Sequence, residues 1–496
     1  DGLLLDFSRV HLNTESLEQL MALTRASGLE SKREELFAGA PVNMTEGRPA
    51  MHMALRSREL GRNLPAGEFQ AMEQAMDDML ESAAELHLGR LPSTPGQAIR
   101  HIIHIGIGGS ILGTRLICEA LDTHSESAPS VHFLGSVDAH YREQLLPTLD
   151  PAETVVILAS KSFSTADTLM LGSSVRRWLE AALGDEEAGK RMFAVSSDAG
   201  KAMSMGVPAD QVLYLPPWVG GRYSLWSPVS LAAAAVAGPK AFTAMLAGAA
   251  EMDRHFQQAQ MSDNLPVLMG LLGVWHRNIC AYESWGVIPY DQRLRLLPAH
   301  LQQVIMESNG KSVGIDGDRL AHATTPVVFG ETGTDAQHSL FQAFHQGTNR
   351  VPLHMIAVIR PDHDDGEAHA ELLSNMLAQA TALAHGRSSE ETRRMMGSAG
   401  PEDEGMVAQR SFEGERPTEL LLMDDFSPAN VGKLLALYEH KVFVESVIWG
   451  INAFDQWGVE LVKSLAPDIR RALEEGTETN SDLSGLLHYI RQQQNS

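Results

Sequence analysis

The chain has little cysteine, a shortage of positive charge and no long apolar run, and each lack excludes a class of protein. Only two cysteines occur among 496 residues, which excludes a disulfide framework and a cysteine-rich zinc site and is typical of a reducing compartment. The 39 Lys and Arg residues against 63 Asp and Glu give a formal net charge of -24, which disfavours nucleic acid and anionic membranes as partners. No stretch approaches about 18 uninterrupted apolar residues. We therefore expect a soluble cytoplasmic protein.

The first half of the chain alternates short apolar segments with helical stretches. Helical periods at 111–121 and 165–183 separate the apolar segments. This alternation predicts βαβ crossovers and a doubly wound parallel sheet. The predicted buried strands, all short and rich in β-branched residues, are 102–107, 131–135, 154–159, 192–195 and 211–215.

The second half predicts another sheet with its own helical cover. Helical spacing at 241–255 and 266–282 precedes three further strand-like segments. These segments are 325–329, 353–359 and 419–423.

Two later stretches have a different character. Residues 386–417 are dense in Glu, Arg, Ser and Gly without a period, which predicts an exposed connection. Residues 430–465 have helical spacing with a break near 450–454. We divide the chain into a smaller α/β domain at 70–235, a larger α/β domain at 1–69 and 236–465, and a C-terminal helical arm at 466–496.

Two loops that follow predicted strands could bind an anion. Gly106-Ile-Gly-Gly-Ser-Ile-Leu-Gly113 stands where a strand gives way to a helix, and free backbone N–H groups there attract phosphate. A dinucleotide fingerprint needs Gly at the position of Ile111, and a nucleotide loop needs Lys where Thr114 stands, so both of those motifs fail. By itself, the loop is as consistent with an ordinary tight turn as with an anion-binding site.

The second loop is Ser160-Lys-Ser-Phe-Ser-Thr165, directly after the segment 154–159. Its hydroxyl and ammonium donors could hold a phosphate at the carboxyl end of a strand. Helix capping is the ordinary use of such residues and would be favoured for this loop alone. Two such loops in one sheet shift the balance toward a phosphate site.

Candidate acid–base residues lie in the second half and near Gly220. Arg222 follows two glycines that permit close backbone approach, so it could hold developing negative charge, although a surface arginine is the plainer interpretation. Glu307 follows an apolar run, where partial burial would suit a base, although most of the 63 acidic residues must be solvated. His338 lies on the first turns of a predicted helix that is entered from a strand and a Gly-rich loop. No metal-binding motif accompanies it, so we predict no metal site.

Taken together, these segments resemble the glucose-6-phosphate isomerase (phosphoglucose isomerase) family along nearly the whole chain. The matching motifs occur in the family's order. They are GLLLDFS at 2–8, IGIGGSILG at 105–113, SKSFSTADT at 160–168, GGRYSLWS at 220–227, QQVIMESNGKS at 302–312, GTDAQHSLFQAFHQG at 333–347, YEHKVFV at 438–444 and FDQWGVELVK at 454–463.

The resemblance implies a role for each candidate residue. Glu307 matches the proton-shuttling base, Arg222 matches the residue that steadies the enediol-like intermediate, and His338 matches a residue that opens the sugar ring. Lys463 is implied in ring opening as well, and Gln456 in a contact of the same pocket. The implied phosphate ligands are Ser160, Ser162 and Thr165 with Lys161 nearby, and the implied sugar contacts are Gly109, Ser110 and Gln303.

The resemblance also implies an architecture and a partner. The family fold is two α/β/α sandwich domains of the sugar-isomerase type with mainly parallel sheets, here followed by the helical arm. The implied substrate is a sugar phosphate and no cofactor is required. The implied assembly is a homodimer in which His338 reaches the partner's active site. One departure affects ring opening, because Asp167 stands where the family usually has Glu.

Three rival functions remain to be weighed. A sugar-phosphate-sensing module would share the fold but would not need Glu307. An aminosugar-phosphate synthase would need an N-terminal cysteine for its glutamine-cleaving half, and the sequence begins with Asp1. An NAD-dependent dehydrogenase is weakened by Ile111 in the first loop. We expect the isomerase.

Overall fold

The chain folds into two compact units, which are described separately. The computed structural model describes residues 2–122, 125, 127–397, 403–476 and 482–494. The first unit is Asp1–Ala453 and contains two five-stranded sheets, and the second is Phe454–Ser496 and is helical. None of the helices in these ranges combines the length and the apolarity needed to cross a lipid bilayer.

Both sheets are mainly parallel, which confirms the predicted α/β fold. One sheet has the order β3-β2-β4-β5-β6 and is parallel throughout; the other has the order β1-β10-β9-β7-β8, in which only the edge strand β1 is antiparallel to its neighbour. The strands are β1 (Leu3–Arg9), β2 (His101–Ile105), β3 (Ser130–Leu134), β4 (Thr154–Ala159), β5 (Met192–Ser196), β6 (Val212–Tyr214), β7 (Ser284–Tyr290), β8 (Val327–Gly330), β9 (Leu353–Arg360) and β10 (Thr418–Asp425).

Helices follow most of the strands, as βαβ crossovers require. They are α1 (Thr14–Ala26), α2 (Leu29–Phe37), α3 (Arg58–Gly61), α4 (Ala66–His87), α5 (Leu112–Ala120), α6 (Ala139–Leu145), α7 (Ala166–Leu183), α8 (Asp185–Lys190), α9 (Ala199–Ser204), α10 (Leu231–Ala237), α11 (Pro239–Gln258), α12 (Leu265–Val274), α13 (Leu297–Leu301), α14 (Gly333–Gln337), α15 (Phe341–Gln346), α16 (Gly366–His385), α17 (Ser389–Met396), α18 (Glu404–Arg410), α19 (Pro428–Trp449), α20 (Trp457–Glu475) and α21 (Ser484–Gln494).

The first sheet is built where the apolar segments predicted it. Every residue of the central strand β4 is buried, as expected of a β-branched run covered on both faces. Leu171 and Val175 of α7 pack with β2 and β4 in one core cluster. Strand β2 ends at Ile105, two residues before the predicted end, because the chain turns sharply at Gly106, where a Cβ would lie 2.5 Å from the carbonyl oxygen of Ser110.

Two strands of the second sheet have no counterpart among the strands predicted from apolar runs. Strand β7 contains Gly286 and Pro289, which both disfavour strands, yet it lies between β8 and β9. Edge strand β1 is only partly buried and its apolar residues do not stand out. Their pairing partners are distant in sequence, so pairing rather than local preference makes them strands.

The helical predictions need two corrections. The segment 386–417 is not a plain connection: it carries α17 and α18, and α17 begins with a capping box between Ser388 and Glu391. The predicted helix 266–282 is shorter, because α12 passes into a π-helical turn at Trp275–Ile279. The predicted break near 450–454 is confirmed, since α19 ends at Gly450 in the left-handed conformation. The boundary drawn from the sequence between the larger domain and the C-terminal arm, at residues 465 and 466, falls inside α20, which runs through both residues.

A buried carboxylate joins the second sheet to α19. Glu419 of β10 receives hydrogen bonds from His276 at 2.9 Å and from His354 at 3.1 Å, and the other ring nitrogen of His354 lies 2.8 Å from the hydroxyl of Tyr438. Burial alone would raise the pKa of Glu419, but the two histidine hydrogen bonds outweigh it and lower the pKa to about 2. The ionised carboxylate therefore stabilises the fold.

We predict that Glu419→Gln lowers the free energy of unfolding by about 3 kcal/mol at pH 7, because one partner of a buried, hydrogen-bonded cluster loses its charge. Since the pKa is lowered in the folded state, the difference should be full above the ordinary pKa near 4.5 and should shrink as pH falls towards 2. Urea unfolding at pH 7 and at pH 3.5 measures this. Glu413→Gln, at a side chain that is 76% exposed, is the control and should change stability little. Equal losses at both pH values would contradict the prediction.

Candidate active site

The loop 106–113 forms the turn between β2 and α5. A 3₁₀ turn at Gly108–Ser110 follows the strand, and Gly108 has a φ of +57°, which favours glycine. The ring Nε2 of the buried His104 lies 2.7 Å from the carbonyl oxygen of Ser110 and fixes the turn. Gly109 and Ser110 are thereby placed at the carboxyl end of a central strand, where α/β proteins bind their ligands.

A backbone contact joins this loop to the segment that carries Arg222. A Cβ built on Gly109 would lie 2.1 Å from the carbonyl carbon and oxygen of Gly221 and 2.6 Å from the backbone nitrogen of Arg222. The hydroxyl of Ser224 also donates to the carbonyl of Gly109 at 3.2 Å. Only glycine at position 109 permits such an approach, so this glycine of the first loop has a packing cause, whereas a Cβ on Gly221 would make only an ordinary contact at 4.0 Å.

The hydroxyl-rich loop follows β4 and begins α7. Thr165 is the N-terminal cap residue of α7, yet its side chain makes no capping hydrogen bond. The hydroxyls of Ser162 and Ser164 lie 2.6 Å apart, and Ser160 is buried. Thr165 therefore does not use its hydroxyl to cap α7, although capping is the ordinary use of such a residue. The loop presents hydroxyl groups beside a helix N-terminus.

Lys161 links the hydroxyl-rich loop to the Arg222 segment. Its ammonium group donates to the carbonyl of Val219 at 2.9 Å. Burial, assisted by the positive charge of Arg48 and opposed by Glu46, lowers the pKa of Lys161 to about 8. A phosphate dianion beside this ammonium group would favour its charged form.

The acidic and basic candidates meet in the first unit. Glu307 is the last residue of a π-helical turn at Gln302–Glu307, and one carboxylate oxygen lies 3.7 Å from Nη1 of Arg222. The Arg222 side chain is 1% exposed and that of Glu307 is 20% exposed. A partly open carboxylate beside a buried cation is suited to proton transfer with stabilisation of a developing negative charge.

Gln303 stands on the same π-helical turn and faces the first loop. A Cβ built on Gly108 would lie 3.0 Å from Nε2 of Gln303. Its Oε1 atom is buried and has no hydrogen-bond partner within the described residues. An unsatisfied buried carbonyl next to the loop offers an acceptor to a hydroxylated ligand.

Two predicted residues of the first unit take no part in the contacts described so far. His338 lies at the end of α14 with an exposed side chain, and Asp167 is exposed on the first turn of α7. Within the described ranges these two side chains share no hydrogen bond or ion pair. Gln456 and Lys463 belong to the second unit, where Lys463 pairs with Glu460 at 2.6 Å.

Sequence reasoning missed residues that surround Arg222. Its Nε donates to the buried hydroxyl of Ser308 at 2.6 Å, and the hydroxyl of Tyr223 lies 2.8 Å from the same oxygen. The ring of His52 stacks on Tyr223 with centroids 4.6 Å apart. Ser308 and Tyr223 adjoin predicted residues in sequence, but no pattern indicates that they touch each other.

Comparison with known proteins identifies the family. The family model described as phosphoglucose isomerase matches residues 6–487. The chain belongs to the phosphoglucose isomerase family. The residues matched include all four segments that meet at the candidate site and both sheets except the first three residues of β1, so the arrangement described above lies inside the region that the family model matches.

Individual relatives agree with the family match. A glucose-6-phosphate isomerase of Cereibacter sphaeroides is 43% identical over 99% of this chain and 92% of its own length. One of Burkholderia orbicola is 43% identical over 94% of this chain and 85% of its own length. A crystal structure of a glucose-6-phosphate isomerase from Chlamydia trachomatis has a TM-score of 0.84 at 30% identity and covers 99% of this chain and 92% of that one.

We predict that Gly109→Ala destabilises this phosphoglucose isomerase family member by about 1–3 kcal/mol, because the new methyl group meets rigid backbone at Gly221 rather than a movable side chain. Thermal unfolding measures the change. The matched control is Gly67→Ala in the first turn of α4, where a Cβ meets no atom within 4 Å and the helix should gain slightly. Equal melting temperatures for the two variants would show that the two backbones can move apart enough to accept the methyl group.

Proposed function

We propose that the protein interconverts glucose 6-phosphate and fructose 6-phosphate by moving a proton between C1 and C2, the aldose–ketose step of glycolysis and gluconeogenesis. The observation that carries the proposal is the Glu307 carboxylate 3.7 Å from the buried Arg222 guanidinium. Two loops suited to polar or anionic groups adjoin this pair. The family relatives bear the name of this activity.

Glu307 acts as the base in this proposal. Its carboxylate takes the proton from C2 of the open-chain aldose, the electrons of the C–H bond form the C1–C2 double bond, and the electrons of the C1=O bond move onto O1. Negative charge develops on this former carbonyl oxygen, which then gains a proton. Arg222 stabilises that charge as a fixed cation that needs no reorganisation. The carboxylate delivers its proton to C1 while the C2 hydroxyl loses its proton, so that the C2 carbonyl of the ketose forms.

The loops supply binding and position. Ser160, Ser162 and Thr165 hold the phosphate, with Lys161 contributing charge, because hydroxyl and ammonium donors suit phosphate oxygens. Ser110, the backbone of Gly109 and Oε1 of Gln303 contact the sugar hydroxyls. Binding energy from the phosphate fixes the reacting carbons against Glu307.

Ring opening requires a second acid–base set. We assign it to His338 and Lys463, with Gln456 as a contact to the sugar. The exposed position of His338 on its own chain supports an assembly in which a homodimer partner provides it. A cytoplasmic location and the absence of a cofactor remain expectations, since proton transfer between adjacent carbons needs no electron carrier.

We predict that Glu307→Gln reduces turnover of fructose 6-phosphate by at least about 100-fold, because the amide cannot accept the C–H proton. An assay coupled to oxidation of the glucose 6-phosphate product measures kcat and KM. KM should change only a few-fold, since the phosphate loops are untouched.

The control for this variant is Glu30→Gln, which removes the same charge from a side chain that is 75% exposed. Unchanged kcat in Glu307→Gln would remove this residue from its role. A wild-type chain that binds the sugar phosphate without turnover would instead support a sensing module.

The proposed dimer predicts a complementation result. Glu307→Gln and His338→Ala homodimers should both be nearly inactive. A co-expressed 1:1 mixture should recover about a quarter of wild-type activity, because half of the dimers are hybrids and one of their two sites has both native residues. A mixture as inactive as its components would show that His338 serves its own chain, and an active His338→Ala homodimer would remove His338 from catalysis.

A further inference from the structure

We propose that Ser308 is a positioning residue for Arg222, and that its hydroxyl, together with that of Tyr223, keeps the guanidinium facing Glu307 without closing onto it. The inference rests on the proposed function, since it concerns the cation that stabilises the intermediate. Neither Ser308 nor Tyr223 is among the site residues expected from the sequence.

Hydrogen bonds to Ser308 and Ala453 hold the Arg222 guanidinium. Its Nε donates to Ser308 Oγ at 2.6 Å, its Nη2 donates to the carbonyl of Ala453 at 2.5 Å, and its Nη1 is the nitrogen that faces Glu307 at 3.7 Å. Ser308 is completely buried and Arg222 is 2% exposed, so water does not compete for these donors. The guanidinium is planar, so fixing two of its nitrogens fixes the third.

The separation of 3.7 Å between Arg222 and Glu307 is informative. It exceeds the range of a charge-assisted hydrogen bond, which is about 2.7–2.9 Å. A free guanidinium in a buried site would close onto the carboxylate with two parallel hydrogen bonds. That closed pair would occupy the base and neutralise the cation, so holding the two apart preserves both.

Ser308 is suited to this task by its place in the chain. It directly follows Glu307 at the end of the π-helical turn, so the base and the acceptor that restrains the cation share one backbone segment. Displacement of that segment would move both together. The neighbouring Asn309 donates to Glu445 of α19 at 3.1 Å and to the carbonyl of Val442 at 3.2 Å, which fixes the segment against the core.

Tyr223 completes the restraint from the other side. Its hydroxyl lies 2.8 Å from Ser308 Oγ, and it also hydrogen-bonds the Arg222 side chain. Its ring stacks on His52, with an angle of 20° between the planes. His52 lies 3.6 Å from the buried Glu439, whose carboxylate accepts hydrogen bonds from Arg56 and Trp226. The tyrosine is therefore held in place independently of Arg222.

The test uses Ser308→Ala, Ser308→Cys and Tyr223→Phe in the full-length chain. Cysteine keeps the shape of serine but accepts hydrogen bonds weakly, and phenylalanine keeps the ring that stacks on His52. The matched control is Ser230→Ala, a completely buried serine whose hydroxyl donates to the carbonyl of Leu225 at 2.6 Å. Melting temperatures establish that each variant is folded.

Two probes separate positioning from general loosening of the site. Arabinonate 5-phosphate carries a carboxylate where the enediolate charge develops, whereas glucitol 6-phosphate has hydroxyls only. In Ser308→Ala and Ser308→Cys we expect affinity for arabinonate 5-phosphate to fall by about 10–100-fold and that for glucitol 6-phosphate to change less than about threefold. kcat should fall about 100-fold with a small change in KM. Tyr223→Phe should show the same pattern, weaker by about tenfold.

Several outcomes would overturn the inference. Equal losses for both probes would assign Ser308 a structural role, and full activity in Ser308→Cys would show that shape alone matters. No loss in any variant would remove both residues. These failures differ from failure of the proposed function, because in each of them wild type still turns over fructose 6-phosphate. If wild type shows no turnover, the proposed function fails first and this inference fails with it.

Discussion

Contact between the backbones of Gly109 and Gly221 is the constraint on which the candidate site depends. A side chain on Gly109 would occupy the space of the other backbone, so the two loops reach their positions only because that side chain is absent. The contact brings Arg222 to the carboxyl edge of the first sheet, where the hydroxyl-rich loop also begins. Lys161 reinforces it through Val219. A cation and a phosphate-type loop thereby share one frame.

The π-helical turn at Gln302–Glu307 allows one short segment to pack into the core and to present polar side chains to the site. Such turns insert an extra residue into a helix and recur at functional sites. Here Val304 and Ile305 are buried while Gln303 and Glu307 remain partly open, so one short segment both anchors itself and presents two polar groups.

Buried charge on α19 supports this frame. Arg56 holds Asp253 through two hydrogen bonds of 2.7 and 2.6 Å and Glu439 through one of 2.6 Å, while Glu445 accepts from Asn309. Burial raises the pKa of Glu439 to about 7 even though Arg56 opposes the shift. Charges removed from water at this cost persist when each has a partner with good geometry. The α19 network and the candidate site are continuous through Tyr223 and His52.

The sequence by itself determined the α/β class, the five strands of the first sheet to within two residues, and the family. Apolar β-branched runs and glycine-rich turns are local patterns, so they can be recognised in the sequence without the tertiary structure. Tertiary structure decided the rest: β7 became a strand despite Gly286 and Pro289 through its partners, and α17 and α18 formed in a segment without apolar period. It also placed Ser308 against Arg222 across 86 positions. Spacing along a chain carries no information about which distant side chains will touch, because that depends on how whole elements pack.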